Sequence, residues 1–172
     1  APDAETNGVP STDASSDGAD EDGVTIPTTD PDYYTWSDGD GMLQFDITGS
    51  GWLVGWIDFN KDGDFADADE MVLNRSVSAG NDQNFPITTP STALSSGALN
   101  ARFRLFPTQP PIPALAYSGA ASGGEVEDHQ WAMTIDKDTS TPSVVPGGQA
   151  VYTIRVTNTG NLAVAGDVTS GD

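Results

Sequence analysis

The amino-acid sequence predicts an all-β fold, an antiparallel β-sandwich with long acidic loops. Short runs of alternating apolar and polar residues recur along the chain, and turn signals rich in Gly and Pro separate them. No run keeps an apolar period of 3.6 residues over about twelve residues, which argues against amphipathic helices. The four Trp and six Phe residues are enough to fill one sandwich core.

The individual strands follow from this alternation. In the clearest case, Ala101, Phe103 and Leu105 are expected to face the core, while Arg102 and Arg104 face outward. The predicted strands, in chain order, span residues 33–36, 42–47, 51–57, 71–73, 83–88, 100–106 and 126–135.

Two side-chain groupings are expected from the strand pattern. Trp56, Phe103 and Trp131 each lie on a strand-like apolar run, so we expect them to be buried together. Met133 and Ile135 alternate with polar residues after Trp131, so they are expected to share its face in the last strand of the sandwich.

Composition divides the chain into three parts. Residues 1–22 form an acidic arm with Gly, Ser and Pro and almost nothing to bury. Residues 23–138 are expected to form the sandwich. Residues 139–172 are expected to form an incomplete strand segment that does not complete a domain by itself.

The charge balance restricts the partners. Asp and Glu total 26 against 6 Lys and Arg, a formal net charge of −20. Nucleic acid and anionic membrane surfaces attract basic patches, so neither is an expected partner, whereas Ca²⁺ is. The sequence has no Cys, which excludes disulfides and thiolate chemistry. No apolar run approaches the roughly 18 residues of a membrane-spanning helix.

The strongest functional signal lies in residues 58–70, which read Asp-Phe-Asn-Lys-Asp-Gly-Asp-Phe-Ala-Asp-Ala-Asp-Glu. Asp58, Asn60 and Asp62 place oxygen ligands at positions one, three and five of a calcium loop. Gly63 takes the sixth position, where such a loop turns sharply. Strand-like apolar runs flank the loop, so it is expected to join β-strands rather than the helices of a calcium sensor.

Three more residues complete the predicted ligand set. Asp64 at position seven is expected to contribute its backbone carbonyl, and Asp69 at position twelve a bidentate carboxylate. Glu70 follows one residue later. The competing interpretation is a polar turn without metal, which leaves the repulsion among six carboxylates in thirteen residues unrelieved.

Other acidic residues are candidates for a second metal cluster. The candidate ligands are Asp20, Glu21, Asp22, Glu125, Glu127 and Asp128. Two alternatives stay open. Backbone pairing or a neighbouring molecule could hold the acidic arm, and the acids after residue 124 could instead pair with Arg102 and Arg104 across the sheet.

An enzyme is the least supported class. His129 is the single histidine, and although Asp128 stands next to it, neighbours on a strand point to opposite faces, which argues against a Ser-His-Asp catalytic triad. His129 is therefore expected on a strand surface. Carboxylate pairs suited to glycoside hydrolysis can be chosen freely among so many acids, so no single pair is informative.

Four stretches carry a family signature. They read Ala-Asp-Glu-Asp-Gly-Val at 19–24, Trp-Ile-Asp-Phe-Asn-Lys-Asp-Gly-Asp-Phe at 56–65, Ala-Arg-Phe-Arg at 101–104 and Gly-Glu-Val-Glu-Asp at 124–128. Over residues 1–136 the chain resembles the GEVED domain family of bacterial secreted and surface proteins. The resemblance implies a module without enzymatic activity in a large extracellular protein, and it names no ligand. His129 departs from the Tyr that is frequent there.

Residues 141–172 resemble the start of an Ig-like repeat domain of bacterial surface proteins, with the hairpin sequence Tyr-Thr-Ile-Arg-Val-Thr-Asn-Thr-Gly-Asn. Tyr152, Ile154 and Val156 are expected to face a core that about thirty residues cannot close alone. Three explanations stay open. The chain is cut from a longer protein, the tail folds back on its own sandwich, or the tail adds strands to a neighbouring subunit. The last predicts a head-to-tail homopolymer.

Together these patterns predict a secreted, calcium-binding structural protein at the cell surface or in the extracellular space. We expect it to be a subunit of a filament or matrix assembled by strand exchange. The alternative is an adhesive module of a larger secreted surface protein, with loops that bind a glycan or a protein ligand. A hydrolase ranks third.

Overall fold

The computed structural model describes residues 24–25, 39, 41–90, 98–119, 125–131, 133–139 and 143–158. In these residues nine strands form: β1 Val24–Thr25, β2 Gly41–Ile47, β3 Gly51–Ile57, β4 Met71–Val77, β5 Gly80–Ile87, β6 Leu99–Phe106, β7 Glu125–Trp131, β8 Met133–Thr139 and β9 Tyr152–Asn158. A short 3-10 helix spans Pro113–Leu115. In the part of the chain that is described, no helix has the length and apolar character to cross a membrane.

Two antiparallel sheets pack face to face. One has the strand order β1-β2-β5 and the other β4-β3-β6-β7. The all-β, sandwich-like class predicted from the sequence is confirmed. Strand β3 lies at the centre of the four-stranded sheet and is paired on both sides, which suits its almost continuous apolar sequence.

Apolar side chains from both sheets fill the space between them. The buried members are Val24, Leu43, Phe45, Ile47, Leu53, Ile57, Phe59, Leu73, Val77, Phe85, Ile87, Leu99, Ala101, Phe103 and Trp131. Phe45 links the sheets, since its ring centroid is 5.2 Å from that of Phe103 and 5.4 Å from that of Phe85. Gly55 allows the Phe103 ring to lie against β3, because a Cβ there would be 2.5 Å from a ring carbon.

The other side of the four-stranded sheet, here called the outer face, is also covered. Val54, Trp56 and Phe65 form a second buried cluster there. Residues 107–119, here called the cover, follow β6, and two of them, Ala116 and Tyr117, pack against this cluster. The partly buried side chains that pack against it are Trp52, Met71, Phe106, Ala116 and Tyr117.

The prediction that Trp56 packs with Phe103 and Trp131 is wrong. All three side chains are buried, but Trp56 belongs to the outer cluster and the other two to the inner core. The register explains the difference: Trp56 pairs with Arg102, whereas Phe103 pairs with Gly55, and paired residues share a face.

Arg102 and Arg104 point away from the inner core, as predicted, yet they are 1% and 5% exposed. The cover explains their burial. Arg102 Nη1 donates to the carbonyl of Tyr117 at 3.1 Å, and Arg104 Nη1 donates to that of Ala116 at 2.6 Å. Arg104 Nη2 adds a bond to the carbonyl of Gly119 at 2.8 Å. Carbonyl groups of the cover thus satisfy guanidinium donors that the alternating pattern alone would leave in water.

The expectation of a surface position for His129 is wrong as well. The side chain is 1% exposed and faces the inner core, with its ring centroid 6.1 Å from that of Phe103. Its Nε2 lies 3.5 Å from a carboxylate oxygen of Glu127, two residues earlier on the same face of β7. Strand β7, at the edge of the four-stranded sheet, therefore has two polar side chains, Glu127 and His129, on its inner face.

The predicted long strand at 126–135 is two strands in different sheets. Strand β8 leaves the sandwich and pairs with β9 in a separate two-stranded sheet, in which Ile135 pairs with Val156. The first strand of the tail thus pairs with its own chain. Tyr152 is 54% exposed; the side chains of Ile154 and Val156 lie outside the described residues.

Candidate metal centre

The 58–70 loop connects β3 to β4, and its two ends are held side by side. The backbone N–H of Ile57 donates to the carbonyl of Glu70 at 2.9 Å, and that of Asp58 donates to the carbonyl of Asn100 at 2.9 Å. Asp58 is therefore fixed at the end of β3 and Glu70 at the start of β4. Their side chains are 2% and 1% exposed.

Three carboxylates converge at the base of this loop. One oxygen each from Asp58, Asp62 and Glu70 lies within 4.8 Å of the others. Two oxygens that bind one Ca²⁺ at about 2.4 Å can be at most about 4.8 Å apart, so this spacing fits three ligands of one ion.

The backbone of the loop wraps around the Asp58 carboxylate. Its oxygens accept hydrogen bonds from the backbone N–H groups of Lys61 at 2.6 Å, Asp62 at 3.2 Å and Gly63 at 3.0 Å. This tight turn places Lys61 and Gly63 at φ values of 65° and 93°. Gly adopts the left-handed region without strain, which suits Gly63 at the sixth loop position, whereas at Lys61 the same region is less favourable because of the side chain.

The remaining predicted ligands lie around this triad in different ways. Asn60 adjoins it, because its amide nitrogen donates to Asp62 Oδ2 at 3.1 Å. The exposed Asp64 carboxylate accepts from the backbone of Ala66 at 2.8 Å. Asp69 is exposed and is not in the triad. The structure therefore groups Glu70, and not Asp69, with Asp58 and Asp62.

Sequence reasoning did not select Asp67, which also borders the triad. Its carboxylate accepts a hydrogen bond from the Asn60 amide. Its backbone N–H donates to Glu70 Oε2 at 3.3 Å, and its carbonyl accepts from the Glu70 backbone at 3.2 Å. Asp67 could have been found from the sequence because it precedes Glu70 by three positions, and one turn brings residues at that separation together.

Burial makes this group of acids costly without a cation. Burial, and then the charges of Asp58, Asp67 and Asp62, raise the pKa of Glu70 to about 7, although the backbone N–H of Asp67 opposes the shift. Burial also raises the pKa of Asp58, against three backbone hydrogen bonds. Glu70 Oε1 is buried and has no hydrogen-bond partner among the residues that the structure describes. A divalent cation would supply the missing partner and remove the repulsion.

The acids proposed for a second cluster do not meet in the described residues. Asp128 is fully buried on the outer face and pairs with Arg102, through Nε–Oδ1 at 2.7 Å and Nη2–Oδ2 at 2.5 Å. Glu127 faces the inner core instead. Strand alternation separates the two carboxylates. The side chain of Glu125 lies outside the described residues, and so do Asp20, Glu21 and Asp22.

Comparison with known families gives one match. Residues 52–132 match the family model of the GEVED domain, a family of bacterial extracellular domains. The match covers just under half of the chain and includes the 58–70 loop, β6 and β7. Searches of curated proteins and of solved structures gave no significant match. The Ig-like resemblance of residues 141–172 lies outside the matched range and stays a prediction.

Proposed function

We propose that the chain is an extracellular structural protein whose sandwich is stabilised by Ca²⁺ bound at residues 58–70. The observation that carries the proposal is the Glu70 carboxylate, which is buried, has an unpartnered oxygen and faces Asp58 and Asp62. Buried carboxylates require compensation, and a set of oxygen ligands suits a hard cation such as Ca²⁺. The match to a family of bacterial extracellular domains supports a location where calcium is abundant.

Calorimetry and thermal unfolding test the calcium site. We expect a dissociation constant of about 10⁻⁴–10⁻³ M, as in many extracellular modules. At a hundredfold excess over that constant, binding adds about 2.7 kcal/mol to the free energy of unfolding. Superimposable melting curves in calcium and in chelator would exclude the site.

Two neighbouring substitutions give a matched pair for the same test. Glu70→Gln removes a ligand of the triad, so it should abolish calcium binding. It should also stabilise the chelated protein, because it removes a buried charge. Asp69→Asn makes the same charge change one residue away on an exposed side chain, so binding should change by less than about threefold. Equal loss of binding in both variants would count against the assignment of Glu70.

We further propose that subunits assemble head to tail through the β8–β9 sheet. Two strands alone form a marginal sheet, and Val151 and Tyr152 at its margin are 59% and 54% exposed. Strands from a second subunit could extend either edge by backbone hydrogen bonds. Bound calcium would also lower the repulsion between chains that each carry a formal charge of −20.

Electron microscopy with and without calcium tests the assembly. Filaments are expected in calcium, and removal of residues 141–172 should leave a folded chain that still binds calcium and no longer polymerises. Unchanged filaments from the shortened chain would show that the tail is not the connector.

A ligand-binding module of a larger surface protein is the second candidate function. The observation that favours it is a groove between Phe106 and the cover, where Ile112 and Leu115 are 60% and 58% exposed. Such apolar surface next to polar loop atoms is common at binding sites. Binding of the monomer on a glycan array, lost in Leu115→Asp and retained in Val145→Asp, would favour this function. Filament formation without any such binding would favour the first.

A further inference from the structure

Two loops that are distant in sequence meet on the outer face. Phe65 lies in the 58–70 loop, here called the metal loop. It stands between Asp62 and Asp67 in sequence, and its side chain is only 3% exposed. Its ring centroid is 6.0 Å from that of Tyr117 in the cover, at an interplanar angle of 63°. Tyr117 also contacts Trp56 edge-on at 6.1 Å. The Phe65 side chain thus joins the metal loop to the cover.

The cover has a second, independent attachment. Arg102 and Arg104 donate hydrogen bonds to carbonyl oxygens of residues 116–119. These bonds hold the backbone of the cover on β6 and involve none of the acids in the metal loop. They leave the ring of Tyr117 to be positioned by its neighbours Trp56 and Phe65.

Phe65 lies in a loop whose backbone is held by its own polar side chains. The backbone N–H groups of Asp62, Asp64 and Ala66 bond to side chains inside the loop itself. The carboxylates of Asp58, Asp62 and Glu70 repel one another across the centre of the same loop. A cation bound by these three would relieve the repulsion and hold the loop in the conformation that places Phe65 against the outer cluster.

We propose that cation binding at residues 58–70 controls the packing of the cover on the sheet, with Phe65 as the coupling side chain. The inference rests on the proposed calcium site and adds a consequence at a distance from it. The two loops are coupled because the bound and free states of one favour different packing of the other. Chelation therefore loosens the cover while the inner core keeps its packing.

Hydrogen exchange measured by mass spectrometry tests this coupling in the full chain. In calcium, the amides of segment 113–119, which are those of residues 114–119 because Pro113 has none, should exchange at least about tenfold more slowly than in chelator. Amides of β2 and β5 should change much less, since they lie on the far sheet. Calorimetry on the same samples reports calcium binding separately.

Phe65→Ala is the decisive variant, because it retains every carboxylate of the loop. We expect it to bind calcium by calorimetry and to show fast exchange at 113–119 in both conditions, so the calcium effect falls below about twofold. Met71→Ala is the matched control. Met71 packs against the same cluster from β4, and its loss should leave the calcium effect in place.

The outcomes separate the inference from the proposed function. Calcium binding without any change in exchange at 113–119 overturns the coupling and leaves the calcium site intact. A full calcium effect in Phe65→Ala also overturns it. Absence of calcium binding would exclude both the calcium site and its coupling to the cover. If Phe65→Ala does not fold, chymotrypsin cleavage of the wild-type chain after Tyr117 decides, with faster cleavage in chelator as the supporting result and equal rates as the opposing one.

Discussion

The two faces of the four-stranded sheet are closed in different ways. The inner face meets the β1-β2-β5 sheet through aliphatic and aromatic side chains in regular alternation. Loops cover the outer face, which contains two buried arginines, an aspartate and a cluster of three aromatic rings. The same alternation along a strand thus buries side chains in two different environments. Burial on the inner face depends mainly on strands, with Phe59 of the 58–70 loop added to them, whereas burial on the outer face depends on loops and, we propose, on a cation.

The largest expected effect lies on the inner face. Phe103→Ala removes a ring that contacts Phe45, His129 and Trp131. The resulting cavity should lower the free energy of unfolding by about 3–5 kcal/mol. Urea unfolding should give nearly the same loss in calcium and in chelator, because the contacts do not involve the metal loop. A loss that disappears on chelation would show that the two faces are not independent.

The next effect lies on the outer face. Asp128→Ala removes the carboxylate that accepts two hydrogen bonds from the buried Arg102 guanidinium, and breaking such a pair costs about 3–5 kcal/mol. We expect the lower end of that range, since Tyr117 still accepts a bond. The double variant Arg102→Met with Asp128→Leu should recover most of the loss in urea unfolding. A double variant as unstable as the single one would mean that the pair itself supplies the stability.

A smaller effect is expected where the inner face is most tightly packed. Gly55→Ala places a Cβ about 2.5 Å from the Phe103 ring, and such overpacking costs about 1–3 kcal/mol. Phe103→Leu in the same chain should relieve part of this cost, so thermal unfolding of the two single variants and the double variant should show non-additivity. Strictly additive losses would contradict the proposed close approach.

A further expected effect is a pH dependence confined to the chelated protein. The pKa of Glu70 is raised from 4.5 to about 7 in the folded state, so the folded chain holds this proton more tightly than the unfolded chain does. The free energy of unfolding should therefore fall as pH rises from about 4.5 to about 7 and level off above that. The raised pKa of Asp58 acts in the same direction.

Urea unfolding across this pH range checks the sign. Glu70→Gln should remove most of the slope in chelator, and saturating calcium should remove it in the wild type, because the metal then occupies the site of the proton. Stability of the chelated wild type that rises through the same window would contradict the burial of Glu70 in the metal-free state.

Local pattern was sufficient to predict much of the inner face and the first half of the 58–70 loop. Leu43, Phe45 and Phe103 lie where period-two alternation places them. The spacing of Asp58 and Asp62 identified two acids that the structure brings together. Both inferences depend on residues close in sequence, for which chain geometry fixes the arrangement.

Contacts between distant segments could not be predicted in the same way. Arg102 looked solvent-facing because nothing in its own strand shows that residues 116–119 will cover it. His129 looked polar and therefore exposed, yet its strand turns that face into the core. Asp69 had the expected loop spacing, but the pairing of β3 with β4 places Glu70 beside Asp58 instead. In each case long-range packing decided the outcome over local spacing.

The connection between β3 and β4 also has a consequence for how fast the chain folds. These strands are joined by the thirteen residues 58–70, whereas β3 pairs with β6 and β2 with β5 across much longer stretches of chain. Pairings between distant segments slow folding, because their loops must close before any contact forms. A cation that gathers Asp58 and Glu70 closes the shortest of these loops first. Calcium would then raise the folding rate by promoting this early pairing, in addition to its proposed stabilisation of the folded sandwich.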